Sequence, residues 1–166
     1  MKKYAKIITA LLLLTLCVSA LCACFYNNDE NDNSDNSSSG NARQMQLVIL
    51  NGENAKEYTV NIDEAQSAQS DKKGLMAILA YLKEQGELTY TAEDSGYGAF
   101  LTQINELKNE NGNYIYIYTD VEEDFDVSVY ASQITYKGKQ YTNSISNASQ
   151  MLIKDNCTIV ITTIKF

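Results

Sequence analysis

An α+β domain, with one main helix packed on a mixed sheet, is the fold class this sequence predicts. Three observations carry it. Lys72–Gln85 repeats Leu75, Met76, Ile78, Leu79 and Leu82 at helical spacing. Tyr114–Asp120, "YIYIYTD", alternates with the period of a strand. Cys157–Phe166 closes the chain with a β-branched run. The order of these elements is compatible with a β-grasp sheet, among other mixed arrangements.

Taken in order, Gln46–Leu50 is a strand and Asn51-Gly52 a turn signal. Glu57–Ile62 then places Tyr58, Val60 and Ile62 on one face. The two runs form a hairpin, with a loop somewhat longer than two residues. Asp63–Ser70 is polar and reads as a loop. Ser70 or Asp71 is placed to cap the main helix, and Gly86 to stop it. The helix stripe reads as core.

Leu88–Thr91 is a short strand, "AEDSGYG" a loop, and Phe100–Leu107 a helical turn or two with Phe100, Leu101, Ile104 and Leu107 facing the core. Lys108–Asn113 is a turn. In the next strand Ile115 and Ile117 go to the core. Tyr114, Tyr116 and Tyr118 form the other face, either half-solvated sheet surface or a binding ladder. Glu122–Asp126 is an acidic run, read as a solvated loop rather than a cation site. Val127–Ile134 and Ile134–Thr142 read as strand and hairpin, with Lys137-Gly138-Lys139 at the tip. Asp155-Asn156 turns the chain into the last strand.

The N-terminus has a different composition. Lys2, Lys3 and Lys6 precede an apolar run, Ile7–Ala23, too short for a comfortable membrane span. Residues 1–23 read as a secretory signal, ending in "LCAC". That ending resembles a bacterial lipobox, with Cys24 as the lipidated residue. Residues 24–43 are the lipidated cysteine and a linker of Asn, Asp and Ser, with too little apolar surface to fold. Asp29, Asn31 and Asn33 have the spacing of a calcium loop, but Ser34 stands where such a loop needs glycine, and no closing Glu follows. Residues 44–166 are the folding domain. The expected location is the extracytoplasmic face of the cell membrane, held by lipid.

Composition excludes several functions. The net charge is −8; loss of the three signal lysines leaves ten basic against 21 acidic side chains, a net −11. Nucleic acid is therefore a poor partner. The chain has no histidine, which removes the commonest general base and most zinc sites. Of four cysteines, only Cys157 remains in the domain, so no disulfide framework exists. No catalytic residue, metal ligand or cofactor is assigned, and the chain reads as a binding protein rather than an enzyme. Its twelve tyrosines are a common currency of binding surfaces.

The stretch "GYGAFLTQINEL" (Gly96–Leu107), with "GNYIYIYTD" and the closing "CTIVITTI", resembles the transcobalamin-like C-terminal domain family over about Met45–Phe166. Gly96, Gly98, Phe100, Leu101, Thr102 and Ile104 fit the family frame. The chain lacks the family's tryptophan after Tyr114 and the glycine of its last turn. Val127–Ser149 is longer than usual and reads as an inserted hairpin. The resemblance implies a β-grasp domain that binds a soluble ligand, with cobalamin or another corrinoid as the candidate. Candidate ligand-binding residues are Gly96, Tyr97, Gly98, Tyr114, Tyr116 and Tyr118. Tyr97 is the specific bet, as an exposed loop aromatic near the tyrosine face. The alternative is a surface module that binds a protein or a glycan and no small molecule.

Overall fold

A computed structural model describes residues 42–166. The signal segment, Cys24 and the linker up to residue 41 lie outside the described residues. Strands β1 (Gln44–Asn51) and β2 (Asn54–Asn61) form the expected antiparallel hairpin. Its loop is shorter than expected, because Asn51 pairs directly with Asn54. Gly52, at φ +61°, supplies the positive φ that a two-residue turn needs at its first central position.

The polar run after β2 is a helix, α1 (Ile62–Ala68), and not a loop. The Asn61 side chain accepts a bond from the Glu64 N–H at 3.2 Å, and Asp63 and Glu64 favour its first turn. Only Ile62 and Ala65 are buried, too few anchors to show a period. The main helix, α2 (Leu75–Glu84), starts after Gly74, so neither Ser70 nor Asp71 caps it. Gly86 does stop it. The Glu87 N–H reaches the Leu82 carbonyl (2.9 Å) and the Gly86 N–H reaches Lys83 (3.0 Å), with Gly86 at φ +73°.

A second difference concerns Gly96–Leu107. This stretch is not helical. Strands β3 (Tyr90–Ser95), β4 (Gly98–Ile104) and β5 (Leu107–Lys108) form a small antiparallel sheet, with Gly96-Tyr97 as the tip of the first hairpin. The helical period is produced by a bulge. Thr91 pairs with Gln103 but Ala92 with Leu101, which leaves Thr102 as the extra residue. Leu101 and Ile104 therefore face inward three residues apart. Asn105, at φ +47°, turns the chain so that Leu107 lies opposite Ile104. Leu101, Ile104 and Leu107 are buried as expected, but Phe100 falls on the other face and is 50% exposed.

The large sheet adds β6 (Asn113–Thr119), β7 (Gln133–Tyr136), β8 (Lys139–Asn143) and β9 (Thr158–Lys165), in the order β2-β1-β9-β6-β8-β7. β1 and β9 are parallel at its centre; the other pairs are antiparallel. The β-branched run of β9 fits a strand buried on both faces. One face carries Leu47, Ile49, Ile115, Ile159 and Ile161 against Ile78 and Leu79 of α2. The other carries a smaller cluster of Val48, Tyr118, Tyr141 and Val160. The β7–β8 hairpin turns at Lys137-Gly138, both at positive φ, and joins β6 only through Tyr118 and Thr119. The strand expected over Val127–Ile134 begins only at Gln133. Just before it the Ser132 carbonyl still accepts from the Asn143 N–H (3.0 Å), but N–H groups turn to side chains: Ser132 donates to Asn143 Oδ1 (2.6 Å) and Ser128 to Asp126 Oδ1 (2.8 Å). The described chain is thus a mixed α+β domain with a six-stranded sheet, a three-stranded sheet and two helices.

Candidate functional site

Where β4 passes β6, the small sheet leaves a cleft of about 560 Å³ against the large one. That size lies inside the usual range of ligand pockets, roughly 300–1,000 Å³. Phe100 of β4, Tyr114 and Tyr116 of β6, Ile145 of the following loop and Phe166 form its mouth. The Tyr114 and Tyr116 rings each stand 5.8 Å from the Phe166 ring. Ile145 is 64% exposed and Phe166 77%, an unusual concentration of apolar surface for one edge of a small domain. Asn143, Ser144, Ser146 and Asn147 supply the polar groups, and no charged side chain lines the cleft. Such walls suit an uncharged ligand with a flat apolar face and a few hydrogen-bonding groups.

Four side chains hold the walls in place. Asn109 donates to the Leu101 carbonyl (3.0 Å) and accepts from the Ile115 N–H (2.6 Å), tying β4 to β6. Asp124 is 2% exposed. Its carboxylate accepts from Ser146 Oγ (2.7 Å) and the Leu152 N–H (2.6 Å), while its own carbonyl accepts from the Ile145 N–H (2.9 Å). The acidic run is therefore not wholly solvated: one of its carboxylates builds the loop that forms the cleft's third wall. Asn147 donates to the Tyr97 carbonyl (2.5 Å), and Ser149 Oγ accepts from the Ala99 N–H (3.2 Å), fixing the start of β4 to that loop.

The candidate residues separate in space. Tyr114 and Tyr116 line the cleft. Tyr118 is 1% exposed and belongs to the second core cluster, its hydroxyl 3.2 Å from Ser132 Oγ. Burial pushes its phenol above the ordinary tyrosine range, so it stays neutral. Tyr97 is 89% exposed at the hairpin tip and is not among the cleft residues. Gly96 has open space where a Cβ would be, so nothing there demands glycine. Gly98 is different, with φ +114° and the Asn147 amide 2.4 Å from an added Cβ. Residue patterns did not point to Phe100, Ile145 and Phe166 as cleft residues. A lone isoleucine inside the polar "NSISNAS" run was the one available signal.

A second concavity, lined by Asp120, Glu122, Glu123, Lys154, Asp155 and Cys157, is larger in volume at about 630 Å³ and acidic, with two of its four carboxylates paired to lysines. Lys139 pairs with Asp120 at 2.6 Å, and Lys154 pairs with Glu123. Cys157 is a buried free thiol whose proton is held more tightly because of burial. That is the opposite of an activated nucleophile.

No family model matches the chain, and no curated protein matches it. Among solved structures it is similar to a candidate metal-binding protein from Ruminococcus gnavus. The identity is 14%, over 75% of this chain and 98% of that one, with a TM-score of 0.48. It is also similar to haptocorrin in complex with Cbi, with 15% identity over 81% of this chain and a TM-score of 0.40. The chain spans only 29% of the haptocorrin chain. These are distant likenesses of fold. The molecule itself is a mixed α+β domain with an aromatic-edged cleft that no charged side chain lines.

Proposed function

We propose that this protein is a lipid-anchored extracytoplasmic lipoprotein whose domain holds a soluble ligand in the cleft between β4 and β6. The observation that carries the reading is the cleft itself, with Phe100, Tyr114, Tyr116 and Phe166 converging on a space that no charged side chain lines. Tyr97 stands outside the cleft, on a tip whose carbonyl is tied to the cleft loop, and would touch only a ligand that extends beyond the mouth. Gly98 shapes that tip, and Gly96 lies beside it. We assign the fold to the β-grasp type, a reading supported by the N-terminal hairpin, the helix against the sheet and the central parallel β1–β9 pair.

Corrinoids are the first ligands to test, on the resemblance carried by "GYGAFLTQINEL". Titration of cyanocobalamin and cobinamide into the purified protein, followed by absorbance and calorimetry, is expected to give saturable binding. Tyr114→Ala with Phe100→Ala should weaken it at least tenfold, since two stacking faces of about 1 kcal/mol each are lost. Tyr97→Ala should cost less, about threefold. Silence at high micromolar corrinoid removes that ligand but leaves the cleft open to another.

The anchor is tested separately. Among the described residues no helix is long and apolar enough to cross a membrane. The proposed attachment is the lipid on Cys24. Metabolic labelling with palmitate should mark the wild-type chain, while Cys24→Ala should be unlabelled and leave the membrane fraction. Label retained by the variant would contradict the assignment.

A second reading is favoured by a different surface. Val127, Val129 and Tyr130 are 84–92% exposed in the loop before β7. They suit a protein or glycan partner in a module without a small-molecule ligand.

A further inference from the structure

We propose that the cleft takes a flat, uncharged, largely apolar ring system, gripped by stacking, with its few polar atoms left at the mouth; this rests on the reading of the cleft as the ligand site. Six polar side chains border the space: Tyr114, Tyr116, Asn143, Ser144, Ser146 and Asn147. A site built to hydrogen-bond a polar ligand keeps donors or acceptors for it. Here four of the six are spent on the protein itself.

Asn143 donates to Asp126 (3.0 Å), and its Oδ1 accepts from the Ser132 N–H (2.6 Å). Ser144 Oγ donates to the Ser146 carbonyl and accepts from the Ser146 N–H, both at 3.0 Å. Ser146 Oγ donates to Asp124. The Asn147 carboxamide donates to the Tyr97 carbonyl and Gln150 Oε1, and accepts from the Ser149 N–H and Oγ. The main chain of this wall is committed as well. The Ser144 N–H goes to the Ile117 carbonyl (2.8 Å), and the Asn147 carbonyl accepts from Gln150 and Met151. Among the described residues no buried side-chain polar atom lacks a partner. A ligand rich in hydroxyl or amide groups would lose water here without replacement, at about 1–3 kcal/mol for each buried group. A charged group would lose more, because no charged side chain lines the cleft.

What remains on offer is aromatic. Phe166 shows how a ring lies here: its centroid is 5.8 Å from both Tyr114 and Tyr116, at interplanar angles of 65° and 43°. Pairs of that kind are worth about 0.5–1.5 kcal/mol each beyond burial. Phe166 stays largely exposed, and Phe100 and Tyr114 half-exposed, so ring surface is left for a ligand. A saturated chain or ring fills the same space but gains none of this stacking. Behind the rings Leu101, Ile115 and Ala148 give an apolar, buried wall. The Tyr114 and Tyr116 hydroxyls are the polar side-chain groups left for a ligand's oxygen atoms.

The test is NMR titration of the full-length protein in phosphatidylcholine nanodiscs, with free ligand set by dialysis so that loss to lipid does not count. The probes are β-naphthol, its saturated analogue decahydronaphthol, methyl β-glucoside and cyanocobalamin. β-Naphthol should shift the Leu101, Ile115, Ile117 and Ile145 amides saturably. Decahydronaphthol and the glucoside should bind at least tenfold more weakly, since two stacked pairs of about 1 kcal/mol each are missing or opposed by desolvation. The Phe100→Ala, Tyr114→Ala double variant should lose the β-naphthol response at these amides. Equal binding of decahydronaphthol or the glucoside, or an unchanged response in the double variant, overturns the proposal. Response to cyanocobalamin without response to β-naphthol removes the apolar ring and leaves the cleft as a ligand site. Response to none of the four removes both readings.

Discussion

Asp124→Ala is expected to lower the melting temperature by about 10 °C and to abolish ligand binding at the cleft. The carboxylate is almost fully buried and accepts from Ser146 Oγ and the Leu152 N–H. Truncation leaves both donors without their partner. Hydrogen bonds to a charged group contribute about 1.5–3 kcal/mol, and an orphaned buried N–H costs about 1–3 kcal/mol. A net loss of about 3 kcal/mol corresponds to about 10 °C for a domain of this size. The same change frees Ser144–Leu152, which carries the cleft's Ile145 and Asn147. Glu123→Ala is the matched control. Glu123 is exposed, and its pair with Lys154 is a surface pair, worth at most about 1 kcal/mol. Thermal unfolding of the three proteins side by side checks the contrast; equal losses for both variants would contradict it.

Gly98→Ala should destabilise by a similar amount, about 3 kcal/mol, while Gly96→Ala stays within about 0.5 kcal/mol. The two glycines flank Tyr97 and look equivalent in sequence. Gly98 sits at φ +114°, where an L side chain is strained, and its Cβ would meet Asn147 Oδ1 at 2.4 Å. Moving Asn147 away breaks its bonds to the Tyr97 carbonyl, Gln150 and Ser149. The clash and the strain can be separated. Adding Asn147→Ala to Gly98→Ala removes the clash alone, so urea unfolding should show a coupling of about 1 kcal/mol and leave the backbone term. Full recovery in the double variant would show that strain plays no part.

These residues also show which parts of the molecule were legible from the sequence. The helix, both long hairpins and the closing strand were readable, because each has an unbroken period and clear turn residues. The alternation in "YIYIYTD" gave the two faces correctly, with Ile115 on the helix side and Tyr118 on the other. It could not show that the tyrosine face becomes a core at Tyr118 and a cleft edge at Tyr114. That depends on where β8 stops pairing, a long-range fact. The β4 error has a local cause. A bulge at Thr102 and a turn at Asn105 spaced Leu101, Ile104 and Leu107 three apart, which is the spacing of a helix. The acidic run misled because four of its five residues are not buried, and the period-free loop gave no sign that Asp124 is. Cleft residues were mostly missed because they come from four separate segments that meet only in the folded chain.

The central claim is that the β4–β6 cleft holds a ligand. Its most direct test is native mass spectrometry of the full-length protein purified gently from its own membranes, with the Phe100→Ala, Tyr114→Ala double variant beside it. The wild type should carry an additional non-covalent mass, beyond the lipid, that the variant lacks while remaining folded. No extra mass on either protein, or the same mass on both, would contradict the cleft as the binding site.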